Sequence, residues 1–253
     1  MKKIPVSVFI ITLNEEPHIA RALESCGAFD ELIVVDSGST DNTVQIATSY
    51  GAKVIHNPWP GFAKQKQFAM QHCRNSWVLN LDADEELTEA LIIDIKVAIT
   101  TDCDYMRCYR NDLFMNSFFP NIIHKPNNHR LFKRESATYR VDDLVHEGPD
   151  FTGKEFFSKN YFNHYGYNEI KTLEDKYNYY SSLKARERFS KGKKPSFIKL
   201  ITIYPLTFIK VFVLQRYVLA GLRGFIFSKL QANYAYLKQA KLFEHYQSNI
   251  NKK

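Results

Sequence analysis

Hydrophobic and polar positions fall into alternating blocks along the first hundred residues. Val6-Ser7-Val8-Phe9-Ile10-Ile11 is β-rich, and Leu32-Ile33-Val34-Val35 and Trp77-Val78-Leu79-Asn80-Leu81 are apolar runs. Short runs of this kind suit strands buried on both faces. Between them the period changes. Ile19, Ala22 and Leu23 recur at helical spacing within 16–26, and 41–50, 62–72 and 88–98 also read as helices. Residues 52–55 read as one more short strand. The resulting βαβαβα order predicts a mostly parallel, Rossmann-like sheet covered by helices on both faces. In such sheets ligands sit beyond the carboxyl ends of the strands.

Three polar clusters stand at those ends: 12–16 (TLNEE), 36–43 (DSGSTDNT) and 82–86 (DADEE). The third puts Asp82, Asp84, Glu85 and Glu86 into five positions, where like charges raise one another's pKa. Glu85 and Glu86 precede the helix predicted from Thr88, and acidic residues favour a helix N-terminus. Asp82 and Asp84 need another reason, and a divalent cation, which takes oxygen ligands, is one. No G-x-G-x-x-G or G-x-x-x-x-G-K-[ST] follows a strand, which disfavours the usual dinucleotide and P-loop modes. The 36–43 stretch reads either as a turn with its helix N-cap at Ser39 or Thr40, or as a nucleotide loop. In the second case Asp36 accepts a hydrogen bond from a base N–H.

The pattern loosens between 102 and 168, where aromatic residues abound and 129–136 (HRLFKRES) and 139–148 (YRVDDLVHEG) have short strand character. Residues 173–190 are helical, and a Lys/Gly/Pro stretch from Lys191 marks a boundary. These signals divide the chain into a domain at 1–190, with halves 1–100 and 101–190, and an extension at 191–253. In the extension the longest uncharged run, Leu200 to Ile209, holds Pro205 and is too short to span a bilayer. On one helix from Pro205, Lys210, Arg216 and Arg223 fall within an arc of about 140°. A basic stripe on an apolar helix marks an interfacial helix; the alternative is a helix packed on the main domain with its basic face in water.

Composition changes the picture in two places. Hydrophobic residues at 45% and charged residues at 24% are ordinary globular values. The net charge of +7 hides an asymmetry: residues 184–253 carry 15 Lys and Arg against two acidic residues, while the remainder carries 19 against 25. A basic tail on an acidic body implies an anionic partner. An anionic membrane surface is favoured over nucleic acid, because the aromatics there sit among aliphatics rather than basic residues. The four cysteines form no C-x-x-C pair, which fits a reducing compartment. The N-terminal apolar run, Val6 to Ile11, is too short for a secretory h-region. The expected location is the cytoplasm, peripherally attached to the inner face of the cytoplasmic membrane.

Taken in order, T-L-N-E-E, V-V-D-S-G-S-T-D-N-T and L-D-A-D-E resemble the family 2 glycosyltransferases with the GT-A fold. VHEG (145–148), HYGY (164–167), KARERFSKGKKPSF and GLRGFIFSKLQANYAYLKQAKLFE resemble its bacterial lipopolysaccharide core β-glucosyltransferase branch. The resemblance implies a GT-A domain with a C-terminal amphipathic helical extension. It implies inverting transfer of a sugar, glucose above others, from a UDP-sugar to a lipid-linked inner-core acceptor such as heptose. Mg²⁺ or Mn²⁺ is the implied cation.

By matching position, Asp84 would hold the metal, Asp82 would face the ribose and Asp36 would read the uracil. Thr12, Asn14 and Glu15 would line the nucleotide pocket, with Ser39 and Asp41 completing its wall or capping the helix. Lys66 and Arg130 are candidate diphosphate contacts. Asp142, Asp143, His146 and Glu147 crowd one stretch, and the resemblance points to Glu147 as the base, with His146 on the metal or diphosphate. Two alternatives stand beside this reading: a family 2 enzyme acting on a polyprenyl phosphate or another envelope polysaccharide, and a non-catalytic peripheral membrane protein.

Overall fold

The computed structural model describes residues 2–140 and 148–250. The chain divides into two compact units, Met1–Asp112 with Pro126–Tyr165, and Leu113–Lys125 with Gly166–Lys253.

In chain order the first unit begins β1 (Ile4–Thr12), α1 (Ile19–Ser25), β2 (Phe29–Asp36), α2 (Thr43–Ser49), β3 (Lys53–His56), α3 (Phe62–Gln71) and β4 (Trp77–Asn80). It continues with β5 (Glu85–Leu87), α4 (Glu89–Ala98) and β6 (Tyr105–Phe114). After β7 (Ser117–Phe118), which lies in the second unit, come β8 (Asn127–Lys133), β9 (Ala137–Thr138), β10 (Asp150–Phe151) and β11 (Glu155–His164). The main sheet runs β3-β2-β1-β4-β8-β6-β11-β5. Its first four strands are parallel, as the apolar runs predict. Strand β8 then pairs antiparallel with both β4 and β6, and β5 pairs antiparallel with β11, so the second half is mixed.

Strand β1 has helices on both faces, and alternate side chains serve each. Val6, Val8 and Ile10 pack with Ile19, Leu23, Leu91 and Ile95. Phe9 and Ile11 point the other way, into a cluster with Ala63, Ala69 and Met70 of α3. Burial on both sides leaves no room for polar alternation, which is why the strand reads as a continuous apolar run.

Two local expectations are corrected. Glu85 and Glu86 do not serve a helix N-terminus: with Leu87 they form β5, paired with β11. The helix that follows is capped by Thr88, whose hydroxyl accepts from Leu91 N. Nor does Ser39 or Thr40 cap α2. Its N-cap position is Asn42, without a side-chain cap, and Asp41 Oδ1 instead accepts the Thr43 N–H at 3.1 Å.

The second unit holds α5 (Ile170–Ser190), α6 (Phe197–Ile209), a π turn at Lys210–Leu214, a 3-10 turn at Tyr217–Ala220 and α7 (Gly221–Ile250). Its core joins Phe114 and Phe119 to Leu173, Tyr177, Val211 and Phe227. Helix α5 thus packs with the helices after it. Gly224 is required by packing, because a Cβ there would meet the Tyr217 carbonyl oxygen at 1.8 Å.

The single basic stripe from Lys210 to Arg223 does not form. Arg216 takes a left-handed φ of 66° and ends the helical run. Arg223 is drawn inward, donating to the carbonyls of Phe114 (3.1 Å), Ser117 (2.9 Å) and Phe118 (3.2 Å). The helical run at Phe197–Leu214 is also longer than the uncharged stretch. By length and composition alone it could cross a membrane, because Lys199 and Lys210 are its only charges.

Candidate active site

Strand register builds the site in the first unit. Thr12 pairs with Asp36 at the parallel edge, so the loops after β1 and β2 leave the sheet side by side. They are stitched together by side chains. The Asn14 N–H donates to Ser39 Oγ at 2.8 Å, and the Thr40 N–H returns a bond to Asn14 Oδ1 at 2.8 Å. The Glu15 N–H donates to Thr43 Oγ1 at 2.8 Å, and Glu16 accepts from the Asn42 N–H at 3.1 Å. Asn14 makes its bonds from a left-handed φ of 54°, a region Asn tolerates better than most residues. Asp36 is buried and accepts the N–H groups of Gly38 (2.8 Å) and Ser39 (3.0 Å). The turn needs Gly38, whose φ is +108°. The hydroxyl of Thr43 holds the half-buried Asp41 carboxyl below the usual range. Buried Thr12 Oγ1, and Asn80 Oδ1 at the end of β4, have no hydrogen-bond partner among the described residues.

Each member of the acidic cluster has its own partners. Asp82 lies between two buried cations, Lys66 Nζ at 3.0 Å from Oδ1 and Arg130 at 3.0 Å from Oδ2. Arg130 also pairs with the buried Glu85. Burial pushes the Glu85 carboxyl up to about 7 against the pull of Arg130. Burial likewise opposes the charge on Arg130, yet Glu85 and Asp82 outweigh it and hold the guanidinium charged. Glu86 accepts from Asn163 Nδ2 at 3.0 Å and the Tyr165 hydroxyl at 2.6 Å.

Asp84 has a different partner. Strand β11 pairs His164 with Glu85 on one side and with Asp112 on the other. His164 Nε2 is thereby 3.4 Å from Asp84 Oδ2, and Nδ1 is 2.8 Å from Asp112 Oδ1. Arg110 Nε, 2.8 Å from Asp112 Oδ1, fixes that carboxylate in turn. Burial disfavours the imidazolium, but Asp84 and Asp112 prevail and raise His164 to about 10. His18, just before α1, is held below its ordinary value by burial, against the pull of Asp84. An imidazole oriented by one carboxylate and facing another is the donor set of many divalent metal sites.

The structure thus brings Thr12, Asn14, Glu15, Asp36 and Ser39 into one pair of loops, and Lys66, Asp82, Asp84 and Arg130 into one charged network. Asp142, Asp143, His146 and Glu147 lie outside the described residues. His164 and Asp112 complete the network without a role predicted from sequence, and Glu85, which reads there as a helix-start acid, joins it. The HYGY motif was the one signal pointing to His164, and it carried no partner.

Comparison with known proteins bears on what this network serves. The family described as Glycosyl transferase family 2 matches residues 7–135. An uncharacterized glycosyltransferase of Rickettsia prowazekii (strain Madrid E) is 38% identical, covering 96% of this chain and 87% of that protein. The lipopolysaccharide core biosynthesis glycosyltransferase LpsC of Rhizobium meliloti (strain 1021) is 33% identical, covering 96% of this chain and 94% of that protein. The structure of S. aureus TarS 1–349 in complex with UDP superposes with a TM-score of 0.52 at 15% identity, over 92% of this chain and 91% of that one. That likeness is one of fold, and it bears out the GT-A architecture. With the family match over half of the chain and relatives aligned along nearly all of it, the chain belongs to glycosyltransferase family 2 and is a glycosyltransferase.

Proposed function

We propose that the enzyme transfers a sugar, glucose first among candidates, from a UDP-sugar to a lipid-linked oligosaccharide of the lipopolysaccharide inner core, with inversion at the anomeric carbon. The observation that carries this reading is the Asp84–His164 pair, set beside the charged network of Asp82 at the carboxyl end of the sheet. One carboxylate oxygen and one imidazole nitrogen, once His164 gives up its Nε2 proton, fit a divalent cation, Mg²⁺ or Mn²⁺. Among the described residues no group of three or more His, Cys, Asp or Glu could hold a metal. A cation here would take its remaining ligands from the diphosphate and water, and when bound it would neutralise the leaving diphosphate.

The protein's own groups supply the rest. Asp112 and Arg110 hold the His164 ring in place. The stitched loops offer Asp36 to the base and Thr12 Oγ1 to a ligand polar group. Asp82, braced by Lys66 and Arg130, faces the ribose. Glu147 takes the proton from the acceptor hydroxyl as general base, with His146 and Asp143 beside it. A lipid-borne acceptor places the work at the inner face of the cytoplasmic membrane. LpsC, whose name assigns it to lipopolysaccharide core biosynthesis, supports this acceptor class. A non-catalytic scaffold falls away with family membership.

The test is transfer itself. Purified enzyme is given UDP-glucose, UDP-galactose or UDP-N-acetylglucosamine with heptose-containing core lipid, with and without a chelator. Metal-dependent transfer of one sugar, β-linked, is expected. Full transfer under chelation would remove the metal, and an α-linked product would remove inversion.

A further inference from the structure

Large apolar side chains crowd the surface of one stretch of the second unit. Along α6 and the π turn Phe197, Ile198, Ile201, Leu206, Ile209 and Leu214 are each more than half exposed, Phe197 at 76% and Leu214 at 73%. No residue of α6 is buried. Leu222, in the first turn of α7, is 74% exposed. Contiguous apolar surface of this kind marks an interaction site.

The exposure follows the helix period. At 3.6 residues per turn, Ile201, Ile198, Ile209 and Leu206 fall within an arc of about 140°. Lys199 and Lys210 fall within about 40° of one edge of that arc, and both are exposed. The other side of the run is less open: Leu200, Ile203, Tyr204 and Thr207 are half-buried and Val211 is buried. Phe208 and Phe212, near the far edge of the arc, meet the Phe225 ring edge-on.

Charge selects the occupant. Lys193, Lys194, Lys199, Lys210 and Arg216 are exposed around the stretch. No acidic residue occurs between Glu187 and Glu244. A second copy of this chain would set these cations against one another. An anionic lipid surface complements them and accepts the apolar arc beneath its headgroups.

We propose that α6 and the turn after it form an in-plane membrane anchor. Its apolar arc enters the headgroup–acyl boundary of an anionic bilayer, and its lysines lie at headgroup level. The proposal rests on the functional reading above only for the membrane as the place of work. A spanning arrangement is disfavoured although the run is long enough. It would carry Lys210 into hydrocarbon, where charge is costly, and pull Val211 from the core it occupies.

The test is cosedimentation of the full chain with phosphatidylcholine vesicles, with or without phosphatidylglycerol. Binding should prefer the anionic vesicles and weaken in high salt, with a part that persists through apolar insertion. Ile201→Gln with Leu206→Gln changes two exposed positions and should weaken binding by about tenfold or more. Lys193→Glu with Lys194→Glu and Lys199→Glu should remove the salt-sensitive part. UDP titration of the same preparations keeps the two readings apart. Parent-like sedimentation of the glutamine variant, or a parent indifferent to lipid charge, overturns the anchor even where UDP binds. Self-association abolished by the glutamine substitutions, with no vesicle binding, overturns it in favour of a second copy. Vesicle binding that follows the expected pattern supports the anchor whether or not UDP binds, and absence of UDP binding then counts against the sugar-transfer reading alone.

Discussion

His164 Nε2 lies 3.4 Å from Asp84 Oδ2, although 80 residues separate them in the chain. The antiparallel pairing of β11 with β5 makes the contact, and Asp112 grips the other ring nitrogen. The pair has a signature in pH. With a folded-state pKa raised to about 10, above the ordinary His value of 6.5, the charged imidazole stabilises the fold. That contribution is fully present below pH 6.5 and is lost as pH rises through 10. Denaturant midpoints measured across this window should fall more steeply for the parent than for His164→Gln. Parallel slopes would mean that the ring carries no extra proton in the folded state.

Arg130 answers for two carboxylates at once. Arg130→Met leaves Glu85 buried beside Asp82 without its cation, and breaking a buried pair from one side costs about 3–5 kcal/mol. Urea unfolding at pH 8 should show that loss. Because burial already pushes Glu85 up to about 7, the variant should regain part of the loss at pH 5, where the carboxyl is protonated. A deficit that does not change with pH would mean that Arg130 acts by packing on the Phe162 ring, 4.9 Å away, rather than by charge.

The two loops after β1 and β2 depend on Asn14. Asn14→Ala removes the acceptor of the Thr40 N–H and places a less tolerant residue at φ 54°. A left-handed residue costs roughly 1–2 kcal/mol. Asn14→Gly relieves the backbone but not the lost acceptor. Thermal denaturation should rank parent above Gly above Ala, and UDP affinity should fall in both variants. Parent-like UDP affinity in Asn14→Gly would show that the stitching supports stability alone.

Glu147, the proposed general base, is among the residues outside those described, so its test is kinetic. Glu147→Gln should slow transfer by about 10²–10⁴-fold, the range for loss of a general base, with UDP affinity nearly unchanged. If Asp143→Asn were the inactive variant and Glu147→Gln only impaired, the base would belong to the aspartate.

The sequence makes the parallel half of the sheet legible because β1, β2 and β4 are buried on both faces, and buried strands write themselves as apolar runs. It makes the strand-end clusters legible because turn chemistry is local. It does not show what each carboxylate meets. Glu85 sits three residues before Thr88 and reads as a helix-start acid, yet its partner is Arg130, brought from β8 by sheet pairing. Lys66 and Arg130, candidate diphosphate contacts from the sequence, are buried against Asp82, a pairing that no local pattern shows. Arg223 fits a solvent stripe on a helical wheel, but a wheel cannot foresee the left-handed Arg216 or the three carbonyls that Arg223 caps. Each miss is a contact between residues distant in sequence.

The central claim is that Asp84 and His164 hold a divalent cation against a nucleoside diphosphate. Calorimetric titration of UDP into parent, Asp84→Asn and His164→Gln, each with Mn²⁺ and with chelator, tests it most directly. Asp84→Asn removes a carboxylate partner of the buried His164 imidazolium, so it should stay folded but be less stable than the parent. The account predicts that Mn²⁺ strengthens UDP binding by the parent and has little effect in either variant. Equal Mn²⁺ enhancement in all three proteins would contradict it.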